Sequence, residues 1–146
     1  MKKSLLMLGV AGVLMLTWSS GRVQGQQAKS EKKVIFVSAD QADFHGSTKG
    51  VSMAAVWGDA NKGANATFTK FEPGYDAGMH THTNDISIVV VKGAYLYKDD
   101  AGEKRVGPGS FLRVPGGKKH WSGGDKTEGA LFYEESSGKF DFVPAK

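Results

Sequence analysis

Three histidines are the residues of this sequence whose type and spacing most favour chemistry. His80 and His82 are one residue apart, and His120 follows the turn-forming residues 115–117. Alternate side chains of a β-strand point to the same face, so a strand through His80 and His82 would project both imidazoles in one direction. Three neutral imidazoles that converge on one point suit a divalent transition metal. The sequence therefore predicts a metal site for iron, manganese, nickel, copper or zinc.

The rest of the chain must fold so that His120 reaches the other two histidines. Short runs of β-branched and aromatic residues between turn formers predict about ten strands, and no helical period follows the N-terminal region. The predicted strands include residues 34–37, 51–57, 66–71, 86–91, 94–97, 104–106, 111–114, 130–134 and 140–143, with residues 40–49 as a loop. The run at 86–91 is almost entirely apolar, which predicts a strand buried on both faces. This pattern favours an all-β fold, either a sandwich or a small barrel of antiparallel strands.

The N-terminus has the features of a secretory signal peptide. Lys2 and Lys3 precede an uncharged run whose apolar part, residues 5–16, is shorter than the roughly 20 residues that a membrane-spanning helix needs. Residues 23–25 form an acceptable cleavage site. We therefore predict a signal peptide at 1–25 and a single domain at 26–146, with its core at about 50–143. Export to the periplasm or the medium follows from this prediction, and an uncleaved anchor is the alternative.

Composition excludes several classes of function. Removal of Lys2, Lys3 and Arg22 with the signal peptide leaves 16 basic residues against 15 acidic ones, so nothing in the charge favours binding to nucleic acid or to an anionic membrane. The sequence contains no cysteine, which excludes disulfides, thiol catalysis and acylation of a cysteine. It has neither a nucleotide-phosphate loop nor a serine-nucleophile motif. A small-molecule ligand or substrate is the partner that remains.

Two motifs around the histidines resemble those of the cupin superfamily. Residues 74–93 contain a glycine, five further residues, the two closely spaced histidines and a closing glycine, similar to the first cupin motif. Residues 109–120 contain a glycine, five residues, Pro-Gly-Gly, two residues and the third histidine, similar to the second motif. The resemblance implies a jelly-roll barrel of antiparallel strands with a metal at the histidines. It is strongest to small exported single-domain cupins, a branch of unassigned function.

The sequence departs from the cupin pattern at the acidic ligand. Most metal-binding cupins have a glutamate shortly after the second histidine, where this chain has Ile86 and Ser87. An isoleucine cannot bind a metal, and a neutral serine hydroxyl is a poor ligand. Gly124 also replaces the asparagine that closes the second motif. The resemblance therefore implies a site without its usual carboxylate.

Three interpretations of such a site stay open. In the first, His80, His82 and His120 hold the metal and water or substrate completes its coordination, as in some cupin dioxygenases; an open position is what a catalytic metal needs. In the second, Asp85 supplies the carboxylate, which requires a β-bulge because a regular strand would turn this side chain away from the site. In the third, the pocket holds no metal, and the histidines bind a ligand or are relics.

Three tyrosines are weaker candidates for catalytic residues. Tyr95 and Tyr97 alternate on a predicted strand that should border the site, and Tyr133 is on a later strand. A tyrosine hydroxyl there could donate a proton or orient a bound oxygen. The alternative is that the rings fill the interior and their hydroxyls lie at its rim.

Two functions fit these observations. The first is a metal-dependent enzyme that acts on a small molecule, for example an oxygenase with a bidentate organic substrate. The second is a module that binds or senses a small ligand without turnover, with or without a metal. The fold alone does not decide between them. Exposed sheet edges are compatible with a homodimer.

Overall fold

A computed structural model describes residues 33–146 of the chain, and this part contains β-strands but no helix. The strands are β1 (His45–Thr48), β2 (Val51–Gly58), β3 (Asn65–Phe71), β4 (Asp76–Thr81), β5 (Ile86–Gly93), β6 (Tyr95–Asp99), β7 (Gly102–Val106), β8 (Phe111–Val114), β9 (His120–Gly124), β10 (Ala130–Ser136) and β11 (Val143–Pro144). The predicted signal peptide at 1–25 lies outside the described residues. Among the residues that are described, no helix has the length and apolar character needed to span a membrane.

The strands form two antiparallel sheets. Sheet A has the order β1-β2-β3-β10-β5-β8, and sheet B has the order β11-β4-β9-β6-β7. The predicted all-β class of antiparallel strands is confirmed. The two sheets do not close into the predicted barrel. Strand β7 lies at the edge of sheet B, and Glu103, Lys104 and Arg105 in it are exposed and charged. Charged side chains on an edge strand disfavour its pairing with another strand.

The core lies between the two sheets, and β5 shows how the chain divides its side chains between core and solvent. Ile86, Ile88 and Val90 are buried in the core. Val89 and Val91, which alternate with them, are 37% and 44% exposed on the other face. The prediction that this strand is buried on both faces was wrong, because an antiparallel sheet needs a covering layer on one face only.

An aromatic cluster joins the two sheets. Phe132 of β10 is fully buried, and its ring centroid lies 4.9 Å from that of Phe71 on β3 and 5.1 Å from that of Tyr95 on β6. Both contacts are edge-to-face, the arrangement that aromatic quadrupoles favour. The chain crosses between the sheets at Gly93, whose φ of +70° favours glycine, and an added Cβ would lie 2.3 Å from the carbonyl oxygen of Gly129.

Two differences from the predicted strands occur near the start of the described residues. Residues 34–37 form no strand, and Val34 and Phe36 are exposed. Residues 40–49, predicted as a loop, include β1, in which His45 is paired with Met53 of β2. In both cases the presence or absence of a neighbouring strand overrode the local preference of the sequence.

Candidate metal centre

The pairing of β4 with β9 brings His80 and His120 together. The two residues are direct partners in the antiparallel register, although they are far apart in the chain. His82 follows the end of β4 and points to the same side as His80. The ring centroids are 4.2 Å apart for His80 and His120, 5.0 Å for His80 and His82, and 5.5 Å for His82 and His120. One nitrogen of each ring lies within 4.8 Å of the corresponding nitrogens of the other two.

Backbone carbonyls orient all three imidazoles. The Nδ1 atom of His80 lies 2.9 Å from the carbonyl oxygen of Gly78, and that of His120 lies 3.0 Å from the carbonyl oxygen of Lys118. The Nδ1 atom of His82 lies 2.5 Å from the carbonyl oxygen of Asp141. A carbonyl only accepts hydrogen bonds, so each Nδ1 carries the proton and each Nε2 keeps its lone pair. Protein ligands to metals are commonly oriented in this way.

Burial keeps the imidazoles neutral. His80, His82 and His120 are only 2%, 7% and 1% exposed. Burial lowers the pKa of His80 to about 4, and it also lowers the pKa values of His82 and His120. Three neutral nitrogen donors that lie this close together fit a first-row divalent cation, and these are the residues that could hold one.

The C-terminal residues 140–144 cover the histidines. The ring of Phe142 stacks on His80 with centroids 4.3 Å apart, and the ring of Phe140 lies 5.3 Å from that of His82. The Asp141 carboxylate accepts hydrogen bonds from both the backbone amide and the hydroxyl of Thr83. Sequence analysis predicted a strand at 140–143, whereas the strand observed here is Val143–Pro144. It did not predict that Phe140 and Phe142 contact the histidines, because their alternation is equally typical of a core strand.

A cavity of about 300 Å³ adjoins the histidines between the two sheets. His80 and His82 of sheet B line one side, and Glu134 of sheet A is the single acidic residue among the described lining residues. Sequence analysis missed Glu134. The signal was present, because Glu134 alternates with Ala130 and Phe132 on a predicted strand and therefore shares their buried face.

The three tyrosines occupy different positions relative to the cavity. Tyr95 is buried and lines it. Tyr97 stacks on His120 with centroids 5.4 Å apart, while its hydroxyl donates to Asp99 at 3.0 Å. Burial and the neighbouring Asp99 carboxylate raise the pKa of Tyr97 to about 12.

Tyr133 belongs to the other face of sheet A. It neighbours Glu134 in β10 and therefore points away from the cavity. Its hydroxyl accepts from the indole of Trp57 at 3.1 Å and donates to Glu135 at 2.7 Å. The structure therefore places Tyr133 apart from the histidines, and its hydroxyl is occupied by outward-facing partners.

Asp85 is also placed apart from the three histidines. Its carboxylate pairs with the guanidinium of Arg113 and accepts a hydrogen bond from the backbone amide of Gly116 at 2.8 Å. These contacts lower the pKa of Asp85, the Gly116 amide contributing most. The metal-competent group among the described residues contains the histidines without Asp85. Ile86, which follows it, packs in the core.

A comparison with protein families identifies the family of this chain. Residues 37–146 match the model described as a domain of unknown function (DUF4437). The chain belongs to this family. The predicted resemblance to cupins is confirmed at the level of the fold, which solved cupin-like proteins share.

Solved structures share the fold of this DUF4437 protein at low sequence identity. KdgF from Halomonas sp. is 21% identical with a TM-score of 0.59, and the alignment covers 77% of this chain and 96% of KdgF. The polyketide cyclase RemF from Streptomyces resistomycificus is 15% identical with a TM-score of 0.64, at 78% and 87% coverage. An RmlC-like cupin from Shewanella frigidimarina is 20% identical with a TM-score of 0.57, at 70% and 89% coverage.

These similarities establish the cupin fold. The neighbours with this fold include enzymes, among them the polyketide cyclase RemF. No curated protein matches the sequence of this chain. The chemistry of this DUF4437 protein must therefore be argued from its own residues.

Proposed function

We propose that this protein binds one divalent transition metal through His80, His82 and His120. The observation that carries the proposal is the convergence of three buried, neutral imidazoles, each with its Nδ1 held by a backbone carbonyl. When bound, the metal would act as a Lewis acid toward a small molecule in the cavity. Iron, manganese, nickel, copper and zinc are all candidates, since imidazole does not discriminate strongly among such ions.

The cavity supports a small-molecule ligand beside the metal. Its volume of about 300 Å³ is at the lower end of the range for ligand pockets, and most of its lining is apolar or aromatic. With three protein ligands, a tetrahedral or larger coordination shell leaves a position for water or substrate. We therefore propose a metal-dependent enzyme, with an oxygenase as one version. A binding module without turnover is the alternative.

Metal analysis of purified variants tests the proposed site. The protein is stripped with a chelator, offered Fe(II), Mn(II), Ni(II), Cu(II) or Zn(II) in turn, desalted and measured by elemental analysis. We expect about one ion per chain in the wild type and a loss of this ion in His82→Ala. His45→Ala is the matched control, because His45 is exposed and pairs with Asp43 on the surface. A wild-type chain that stays empty with every ion would refute the metal site.

Turnover assays distinguish the enzyme from the binding module. Oxygen uptake is measured for the iron-, manganese-, nickel- and copper-loaded protein with a panel of diketones, thiols and catechols. Uptake that disappears in His82→Ala but persists in His45→Ala would support the oxygenase. Saturable binding of a panel compound without uptake or product would instead support the binding module.

We also propose that the protein is exported after cleavage of residues 1–25. The support is the basic start, the short apolar run and the small residues before Gln26. Intact-mass analysis of protein recovered from the periplasm or the medium should give a chain that begins at Gln26. Recovery of the full-length chain in the cytoplasm alone would refute export.

A further inference from the structure

Glu134 is a buried carboxyl group without a hydrogen-bond partner in the described part of the chain. Its side chain is on β10 of sheet A, it is 8% exposed, and it lines the cavity whose other side carries His80 and His82. Packed sheets are separated by about 10 Å, so a small molecule between them can contact both sides. Glu134 does not belong to the group of residues that could ligate the metal.

The surroundings of Glu134 explain why the protein itself does not satisfy this carboxyl group. Its cross-strand neighbours are Thr67 and Ile88, and the Thr67 hydroxyl is paired with that of Thr69 at 3.1 Å. Burial raises the pKa of Glu134 to about 7. An unpaired buried carboxyl group is costly, and such groups are concentrated at functional sites. A ligand in the cavity would supply the missing hydrogen bond.

The charges and the walls of the cavity define the class of ligand. The three imidazoles are neutral, so a divalent cation would bring two positive charges, which the single negative charge of an ionised Glu134 would not balance. A ligand hydroxyl that gives its proton to Glu134 becomes an anion beside the cation, where the negative charge is stabilised most. Phe71, Phe140 and Phe142 line the cavity with aromatic surface. These features favour an apolar or aromatic molecule with an ionisable hydroxyl group, such as an enol or a catechol.

We propose that Glu134 is the proton acceptor of this cavity for a ligand of that enol or catechol class. The O–H bond of the ligand breaks, its electron pair stays on the ligand oxygen, and the proton forms a new O–H bond with the Glu134 carboxylate. No electron leaves or enters the protein. The inference rests on the proposed metal site, because the cation stabilises the resulting anion. In the reverse direction, protonated Glu134 returns the proton to the product.

The colour of 4-nitrocatechol makes this proton transfer measurable without turnover. The change in the absorption spectrum of 4-nitrocatechol on binding reports how many further hydroxyls ionise, and calorimetry in two buffers of different ionisation enthalpy counts the protons released to solvent on binding. Their difference is the number of protons that the protein retains. With zinc-loaded protein at pH 8, we expect about one retained proton in the wild type and none in Glu134→Gln.

Two further variants test whether Glu134 has only a structural role. Glu135→Gln changes the next residue of β10, which is exposed on the opposite face, and it should retain the proton as the wild type does. Glu134→Asp keeps a carboxylate that is one methylene shorter and should restore at least part of the retention.

The proposal would be overturned by equal retention in wild type and Glu134→Gln, or by zinc-loaded wild type that does not bind 4-nitrocatechol. A wild-type sample that takes up no zinc, measured beforehand, would instead count against the proposed metal site.

Discussion

Glu134→Gln should make the metal-free protein more stable at alkaline pH. In the unfolded chain this carboxyl group ionises near its ordinary pKa of 4.5, whereas burial in the folded protein raises its pKa to about 7. Folding at a pH between these values takes up a proton, so wild-type stability falls as pH rises from the unfolded pKa through the folded one. The glutamine cannot ionise and does not suffer this loss.

The size of the effect follows from the two pKa values. Each pKa unit of difference corresponds to about 1.4 kcal/mol, which gives a full effect of about 3 kcal/mol above pH 8. Part of it is already present at pH 5, so the stability difference between the variant and the wild type should grow by about 2–3 kcal/mol from pH 5 to pH 8.

Other groups that face Glu134 do not change the expected pH dependence of the stability difference. Thr67 and Ile88 flank it on the neighbouring strands and do not titrate in this range. Burial and, to a smaller extent, the charge of Glu134 raise the pKa of Tyr95 on sheet B, so its phenol stays neutral at pH 8. His80 and His82 across the cavity have lowered pKa values, and their titration is common to both proteins and cancels in the difference.

Urea denaturation in the presence of a chelator gives the free energy of unfolding at pH 5 and pH 8 for the wild type, Glu134→Gln and Glu135→Gln. Glu135→Gln should follow the wild type, because Glu135 is exposed on the outer face of the same strand. A stability difference between Glu134→Gln and the wild type that is the same at both pH values would refute the reasoning. It would mean that the Glu134 carboxyl group ionises in the folded protein as it does in the unfolded chain.

Three other substitutions probe the site and its support. Asp141→Ala removes the two hydrogen bonds to Thr83 that hold residues 140–144 beside His82. Metal affinity, measured by competition with a chromophoric chelator, should fall about 10-fold or more. Unchanged affinity would contradict this expectation. Phe132→Ala leaves a void in the core and should lower the free energy of unfolding in urea by about 3–5 kcal/mol, and a loss below about 1 kcal/mol would show that the core collapses around it. Asp85→Asn should leave metal content unchanged, and loss of the ion would favour Asp85 as a ligand.

Local patterns in the sequence were sufficient for the class of fold and for most of its strands. The β-branched and aromatic residues at 51–57 and 66–71, and the turn formers between the two runs, are local features of the sequence and can be read directly. The same is true of His80 and His82, whose spacing of two places both rings on one side of the chain. The cupin motifs then supplied an expectation for His120.

Tertiary structure alone decided which distant residues meet. The pairing of His80 with His120 depends on the register between β4 and β9, and a shift of one residue would turn one ring to the other face. Asp85 is held by Arg113 and Gly116 instead of joining the histidines, which depends on how β5 pairs with β8 and on the turn that follows β8.

Glu134 shows why some features of the site could be predicted from the sequence and others could not. Its alternation with Phe132 was enough to place it on an inner face. Whether that face met apolar core, solvent or a cavity was set by the packing of sheet A on sheet B, which involves contacts between residues far apart in the chain. Periodicity along a strand is a local property that sequence determines, whereas the chemistry of a cavity depends on side chains that approach it from several strands.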